Sequence, residues 1–188
     1  MKYQRINGIH DDAIDRMPEY KMIFPETAKG LSILDLGCYM GFYLLEAKKE
    51  GAGRCVGIEK DAGLYKEAVR LNKHFKHDIK YQNSDVKNLK TNKEYDVILC
   101  LSLLHHLKIS DINNLLEKII VCARKRAAFI IIPPSSDVLW SIEDSSRDGT
   151  PKTRLTPAYL HSRIPWTFTT KQCVTMPERI LVEMYNGD

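Results

Sequence analysis

The sequence predicts an α/β fold: a doubly wound, mostly parallel seven-stranded sheet that ends in an antiparallel hairpin. Three observations carry that expectation. Short apolar runs alternate with segments of helical periodicity between residues 31 and 132, the pattern of strands joined by crossover helices. One run, YDVILCL at 95–101, is apolar almost throughout, as a strand covered on both faces must be. Near the C-terminus WTFTTKQCVTM and RILVEMY are separated only by Pro177-Glu178, too short a link for parallel neighbours.

Taken in order, residues 10–24 carry Ile14, Met17 and Ile23 at roughly helical spacing, interrupted by Pro18. A bent helix, or two short ones, is expected there, within an N-terminal helical segment 1–30. LSILDL (31–36) reads as the first buried strand and GFYLLEAKKEG (41–51) as a helix stopped by Gly51. RCVGIE (54–59) is the second strand. Residues 62–75 form a helix with Leu64, Ala68, Leu71 and Phe75 on one face, and IKYQNS (79–84) is the third strand. After the strand at 95–101, a helix spans 110–123, with Ile112, Leu115, Leu116 and Ile119 inward and Ser110 or Asp111 as cap. AAFIII (127–132) is the fifth strand, ended by Pro133-Pro134. Residues 133–154 are rich in Pro, Ser and Asp and too long for an ordinary connection. They are a candidate lid, with a short helix at 138–142, or else a surface loop. Thr156-Pro157 opens a short helix before the terminal hairpin.

A chain of 188 residues, 44% hydrophobic and 28% charged, can bury one core, so a single domain over 1–188 is expected. No apolar run approaches the ~20 residues of a membrane span, and MKYQRINGIHDD has none of the apolar stretch of a secretory signal. Cys38, Cys55, Cys100, Cys122 and Cys173 form no C-x-x-C pair and sit among mostly apolar neighbours. They read as reduced, buried thiols rather than metal ligands. The expectation is a cytoplasmic protein without metal or membrane contact. The net charge of +4 permits an anionic partner without requiring one. The densest basic run, Arg124-Lys125-Arg126, reads as the cationic end of a helix or as a nucleic-acid patch.

The stretch with most chemical content is LDLGCYMG, residues 34–41. It leaves a strand and opens a helix, the context in which glycine spacing is meaningful. A dinucleotide site wants G-x-G-x-x-G and puts a pyrophosphate on the helix N-terminus. Here the spacing is G-x-x-x-G, and the Asp35 carboxylate would repel a pyrophosphate. It suits a ligand with a cationic group, such as the ammonium of a bound amino acid. That argues against a nicotinamide oxidoreductase. Glu59 ends the second strand 24 residues after Asp35, where a carboxylate can accept both ribose hydroxyls. Asn83-Ser84-Asp85-Val86 follows the third strand and LCLSLLHHL the fourth.

With these residues in register, the sequence resembles the class I S-adenosylmethionine-dependent methyltransferases, whose fold is Rossmann-like. Their first motif looks like hydrophobic-Asp-x-Gly-x-Gly-x-Gly. Asp35, Gly37 and Gly41 match it, while Tyr39 stands where most members have glycine. The resemblance covers roughly residues 31–132, and the terminal hairpin extends it. It implies S-adenosyl-L-methionine as cofactor and S-adenosyl-L-homocysteine as product. It also implies cofactor contacts from Asp35, Gly37, Cys38, Tyr39 and Gly41 in the turn, from Glu59 and Lys60 at the ribose, from Asp85 and Val86 at the adenine, and from Leu101.

Methyl transfer from a sulfonium needs chiefly proximity and alignment. A base is required only when the acceptor must lose a proton. His105 and His106 are the candidate catalytic residues, the alternative being that LHHL only packs beside the cofactor; Ser102 is a further candidate for the pocket. Family members that methylate adenine or glutamine amino groups carry an Asp/Asn/Ser-Pro-Pro-aromatic stretch after the fourth strand. Here that position reads Cys100-Leu101-Ser102-Leu103, which disfavours that chemistry. Trp140, Tyr39, Tyr43 and Trp166 are candidates to stack on a planar acceptor, or plain packing residues. The expected acceptor is a small molecule. The alternatives are RNA, since 16–42 and LLHHL are similar to small methyltransferases acting on the wobble uridine of transfer RNA, and a catalytically silent scaffold or partner subunit.

Overall fold

The computed structural model describes residues 6, 13–90, 92, 94–133, 141–145 and 151–187. Its main sheet has seven strands in the order β3-β2-β1-β4-β5-β9-β8, and a separate two-stranded sheet pairs β6 with β7. By internal contacts the chain divides into two compact units, Met1–Val86 and Lys87–Asp188.

The first unit runs α1 (Met17–Ile23), β1 (Ile33–Leu36), α2 (Phe42–Lys49), β2 (Cys55–Glu59), α3 (Ala62–His74) and β3 (Lys80–Asn83). Strand β2 lies between β1 and β3 and is parallel to both. Every residue of β1 and β2 is buried, whereas β3, at the sheet's edge, is largely exposed. That is why the first two strands read as continuous apolar runs and IKYQNS does not. Gly51 adopts φ +88° just past α2, ending the helix as expected. Asp61 caps α3, accepting from the Gly63 and Leu64 amides. Pro18 does not break the N-terminal helix. It sits in its first turn, where a missing N–H leaves nothing unsatisfied, so one short helix starts at Met17.

The second unit runs β4 (Tyr95–Leu101), α4 (Ile109–Cys122), β5 (Ala123–Ile131), β6 (Ser141–Ser145), β7 (Pro151–Leu155), α5 (Pro157–Arg163), β8 (Thr167–Gln172) and β9 (Ile180–Tyr185). Strands β4 and β5 are parallel, and β9 pairs antiparallel with both β5 and β8. The terminal hairpin is therefore as predicted. Thr156 caps α5 through the Tyr159 amide, with Pro157 opening the helix.

Three local expectations are corrected here. Helix α4 begins after Lys108 without a side-chain cap; Asp111 lies in its first turn and pairs with Lys87 at 2.7 Å. The helix also passes into β5 with no intervening loop, so Arg124-Lys125-Arg126 opens a strand instead of closing a helix. Carboxylates answer all three cations: Arg126 meets the buried Glu183 at 2.6 Å, Lys125 meets Asp96 at 3.1 Å, and Arg124 meets Glu94 at 3.9 Å. Within the candidate lid, 141–145 is a strand paired with 151–155; the remainder of the helix expected at 138–142, Trp140 included, lies outside the described residues.

Candidate functional site

In the first unit, the turn between β1 and α2 takes three left-handed residues at alternate positions: Gly37 at φ +72°, Tyr39 at +55° and Gly41 at +85°. Glycine adopts this conformation without steric cost. Tyrosine does not, at roughly 1–2 kcal/mol, and such strain in a turn is a mark of functional constraint. The turn is held from below. The Gly37 and Cys38 amides both donate to the Ile58 carbonyl, at 2.9 and 3.0 Å, and the Gly41 amide donates to the Cys38 carbonyl at 2.8 Å.

Two buried acids face this turn. Glu59 Oε2 accepts from the Tyr39 amide at 3.0 Å, and Oε1 accepts from the Asp61 amide at 2.9 Å. One carboxylate thus ties the glycine turn to the start of α3, and each of its oxygens keeps a second lone pair for a ligand hydroxyl. Asp35 is 2% exposed and its Oδ2 has no hydrogen-bond partner. Burial first, and the Glu59 charge second, push its carboxyl up to about 8. An orphaned buried carboxyl is costly unless something cationic or hydrogen-bonding meets it. That is the property expected of a residue that takes a ligand's ammonium.

The other predicted contacts of this unit cluster around the same strand ends. Lys60 is exposed beside Glu59, and the Asn83 amide nitrogen donates to the Glu59 and Lys60 carbonyls at 2.9 and 3.0 Å, fixing the end of β2 against β3. Asp85 is partly buried, and Val86 is buried at the start of a short 3-10 turn. The Cys38 thiol is buried and pushed well up by that burial. Tyr43, by contrast, is core: it is 3% exposed on α2 and packs edge-on against Phe42.

The second unit holds the remaining candidates at the end of β4. Leu101 is its last residue and is buried. Ser102 follows at φ +58°, a non-glycine left-handed residue like Tyr39. Its amide donates to the Ile130 carbonyl, and its buried Oγ has no hydrogen-bond partner. A 3-10 turn, Leu104–His106, then buries His105 and exposes His106, their ring centroids 4.1 Å apart. Thr153 of β7 donates to the Leu107 carbonyl at 2.6 Å, so the return strand of the candidate lid is fastened to the histidine turn. Trp166 is half-buried ahead of β8.

Sequence reasoning missed Gly57 and Tyr81. They share one register line with Asp35, Asp35↔Gly57↔Tyr81, across three parallel strands. Pairing between strands is not a local property, and nothing in VGIE or KYQN announces it. Among the described residues, no group of three or more His, Cys, Asp or Glu is arranged to hold a metal ion, and no helix is long and apolar enough to cross a membrane. All five cysteines are buried.

A methyltransferase-domain family matches residues 33–126, half of the chain. The curated relatives include a tRNA U34 carboxymethyltransferase of Sulfurovum sp., 28% identical over 106 residues that make up 54% of this chain and 35% of that protein. Another of the same name, from Campylobacter hominis, is 28% identical over 79 residues, 42% of this chain and 28% of that one. The chain thus spans about a third of the length of these relatives. Among solved structures, the Burkholderia thailandensis 1,6-didemethyltoxoflavin-N1-methyltransferase, with its substrate and S-adenosylhomocysteine bound, superposes with a TM-score of 0.76 at 14% identity, over 91% of this chain and 77% of that one. The magnesium protoporphyrin IX methyltransferase of Synechocystis PCC 6803, with S-adenosylmethionine bound, gives 0.71 at 14% identity, over 99% and 87%. These structural likenesses establish the fold. The match over 33–126 makes this chain a member of the methyltransferase-domain family.

Proposed function

We propose that the protein transfers a methyl group from S-adenosylmethionine to a small-molecule acceptor. The observation that carries the reading is the buried Asp35 carboxyl, whose Oδ2 has no hydrogen-bond partner, beside a left-handed turn at the end of a parallel strand. S-adenosylmethionine supplies an activated methyl on a good, neutral leaving group. This chain's residues then have to bind and align. Asp35 accepts from the amino-acid ammonium. Glu59, already immobilised by two backbone amides, takes the ribose hydroxyls. Gly37, Cys38, Tyr39 and Gly41 line the amino-acid end, Lys60 flanks the ribose, Asp85 and Val86 receive the adenine, and Leu101 gives apolar cover. His105 or His106 removes a proton from an acceptor that must lose one.

The small-molecule reading is supported by the names of the solved neighbours, which give 1,6-didemethyltoxoflavin and magnesium protoporphyrin IX. The second reading, transfer to tRNA, is favoured by the names of the curated relatives. The buried thiols suit a reducing compartment, and we place the protein in the cytoplasm.

Calorimetric titration with S-adenosylhomocysteine, with NAD as control, tests the cofactor. Micromolar or tighter binding is expected for the first and none for the second. Labelled-methyl transfer to a metabolite extract and to bulk tRNA then separates the two acceptor classes. Cofactor binding without turnover on either, restored by a second subunit, would replace the enzyme with a scaffold.

A further inference from the structure

Tyr81 belongs to the edge strand β3, yet its side chain does not stay at the edge. A Cβ on Gly57 would lie 2.7 Å from the Tyr81 Cδ1, 2.8 Å from its Cε1 and 2.8 Å from the Cys38 sulfur. A Cβ on Gly41 would lie 2.8 Å from the Tyr81 Cζ and closer still to the hydroxyl. The ring therefore crosses the face of β2 through the space left by Gly57, and its hydroxyl ends under Gly41 in the glycine turn. Asp35 occupies the same register line on the far side of Gly57. Register partners on parallel strands project to one face of the sheet, so phenol and carboxyl lie on the same face, on either side of a residue with no side chain.

Both groups end without a partner. The Tyr81 hydroxyl and Asp35 Oδ2 are buried atoms with no hydrogen bond. One is a donor and the other an acceptor, and leaving either unsatisfied is costly. A phenol gives its strongest hydrogen bond to an ionised carboxylate.

We propose that Tyr81 is a positioning residue of the cofactor site: reaching across Gly57, its hydroxyl donates to the Asp35 carboxylate once a ligand's ammonium draws that carboxyl into its ionised form. The proton leaves Asp35 for solvent as the ligand binds. The phenol takes up the carboxylate oxygen that the ammonium leaves unfilled, and so sets the orientation of the amino-acid end. The groups that act on Asp35 within this unit are few. Glu59 at the end of β2 opposes ionisation. The Cys38 thiol in the turn, the Cys55 thiol on β2 and the Tyr81 phenol on β3 are all held neutral by burial. Helix α2 brings no acidic residue in its first turn.

The inference rests on the cofactor reading, and the test separates the two. The native 188-residue chain, Tyr81→Phe and Gly57→Ala are titrated calorimetrically with S-adenosylhomocysteine between about pH 6 and pH 9, a range that brackets the shifted carboxyl. Two buffers of different ionisation enthalpy count protons. The native chain should bind more tightly as pH rises and release a proton at neutral pH. Tyr81→Phe keeps the ring and its packing, so a merely structural role predicts no change. The proposal predicts about tenfold or greater weakening, with the acid limb of the profile displaced to higher pH because the ionised form has lost its donor. Gly57→Ala keeps the hydroxyl but displaces the ring, and should weaken binding in the same direction. Native-like affinity and pH profile in Tyr81→Phe overturn the proposal while leaving the cofactor reading intact, and so does native-like affinity in Gly57→Ala. A native chain that binds no S-adenosylhomocysteine at any pH overturns both.

Discussion

The turn after β1 and the turn after β4 solve the same backbone problem with different chemistry. Each leaves a fully buried parallel strand through a left-handed residue. In the first unit that conformation falls on Gly37, Tyr39 and Gly41, and the buried polar groups nearby are acids, Asp35 and Glu59. In the second it falls on Ser102, and the buried polar groups are a hydroxyl and an imidazole, Ser102 and His105. An acidic strand end suits a cationic ligand. A serine–histidine strand end suits a neutral group that gives up a proton. On the proposed function, this difference would divide holding a cofactor from handling an acceptor.

Four experiments break or sharpen that comparison. The largest effect is expected at the second turn: His105→Ala should lower kcat about a hundredfold, the usual scale of general-base catalysis, with S-adenosylhomocysteine affinity unchanged by calorimetry. A parallel loss of cofactor affinity would erase the division of labour. At the first turn the pattern reverses. Asp35→Ala and Glu59→Ala should each weaken S-adenosylhomocysteine binding about tenfold or more, on the scale of charge-assisted hydrogen bonds. Unchanged affinity in both would remove the cofactor from this turn.

The third effect is on stability. Asp35 binds its proton more tightly folded than unfolded, its carboxyl being raised from 3.8 to about 8. Between those two values the native state carries more protons, so the Asp35 contribution to stability falls as pH rises and is lowest above the upper one. Asp35→Asn, neutral throughout, should match the native chain near pH 4 and gain on it progressively up to about pH 8 in urea unfolding, with no further gain above. It should lose cofactor affinity at the same time. No comparable pH-dependent gain is expected from Ser102→Ala, since a hydroxyl does not titrate in this range. The smallest effect is at Tyr39. Tyr39→Gly should be more stable than Tyr39→Ala by about 1 kcal/mol, because only glycine adopts φ +55° without strain. Equal stability would show that the turn relaxes out of the left-handed region.

Much of this was legible in the sequence, and the reason is periodicity. Burial on both faces demands continuous apolar runs, so β1, β2 and β4 announced themselves. Amphipathic spacing announced α3 and α4. The placement of Asp35, Gly37, Gly41 and Glu59 at or just after strand ends was readable because strand ends are local. Tyr39 was visible as the residue out of place. Tertiary structure decided what no local pattern contains. The strand register set Asp35, Gly57 and Tyr81 in one line, although they are 22 and 24 residues apart in the chain. Pairing of β6 with β7 replaced part of a predicted helix with strand. The 2.6 Å bond from Arg126 to a buried Glu183 57 positions away turned an apparent cationic helix end into the opening of a strand. Residue order sets which groups are available and at what local spacing, but the partner of a buried charge is whichever group the folded chain brings within a few ångströms. That depends on sheet register and packing, which the whole chain determines together.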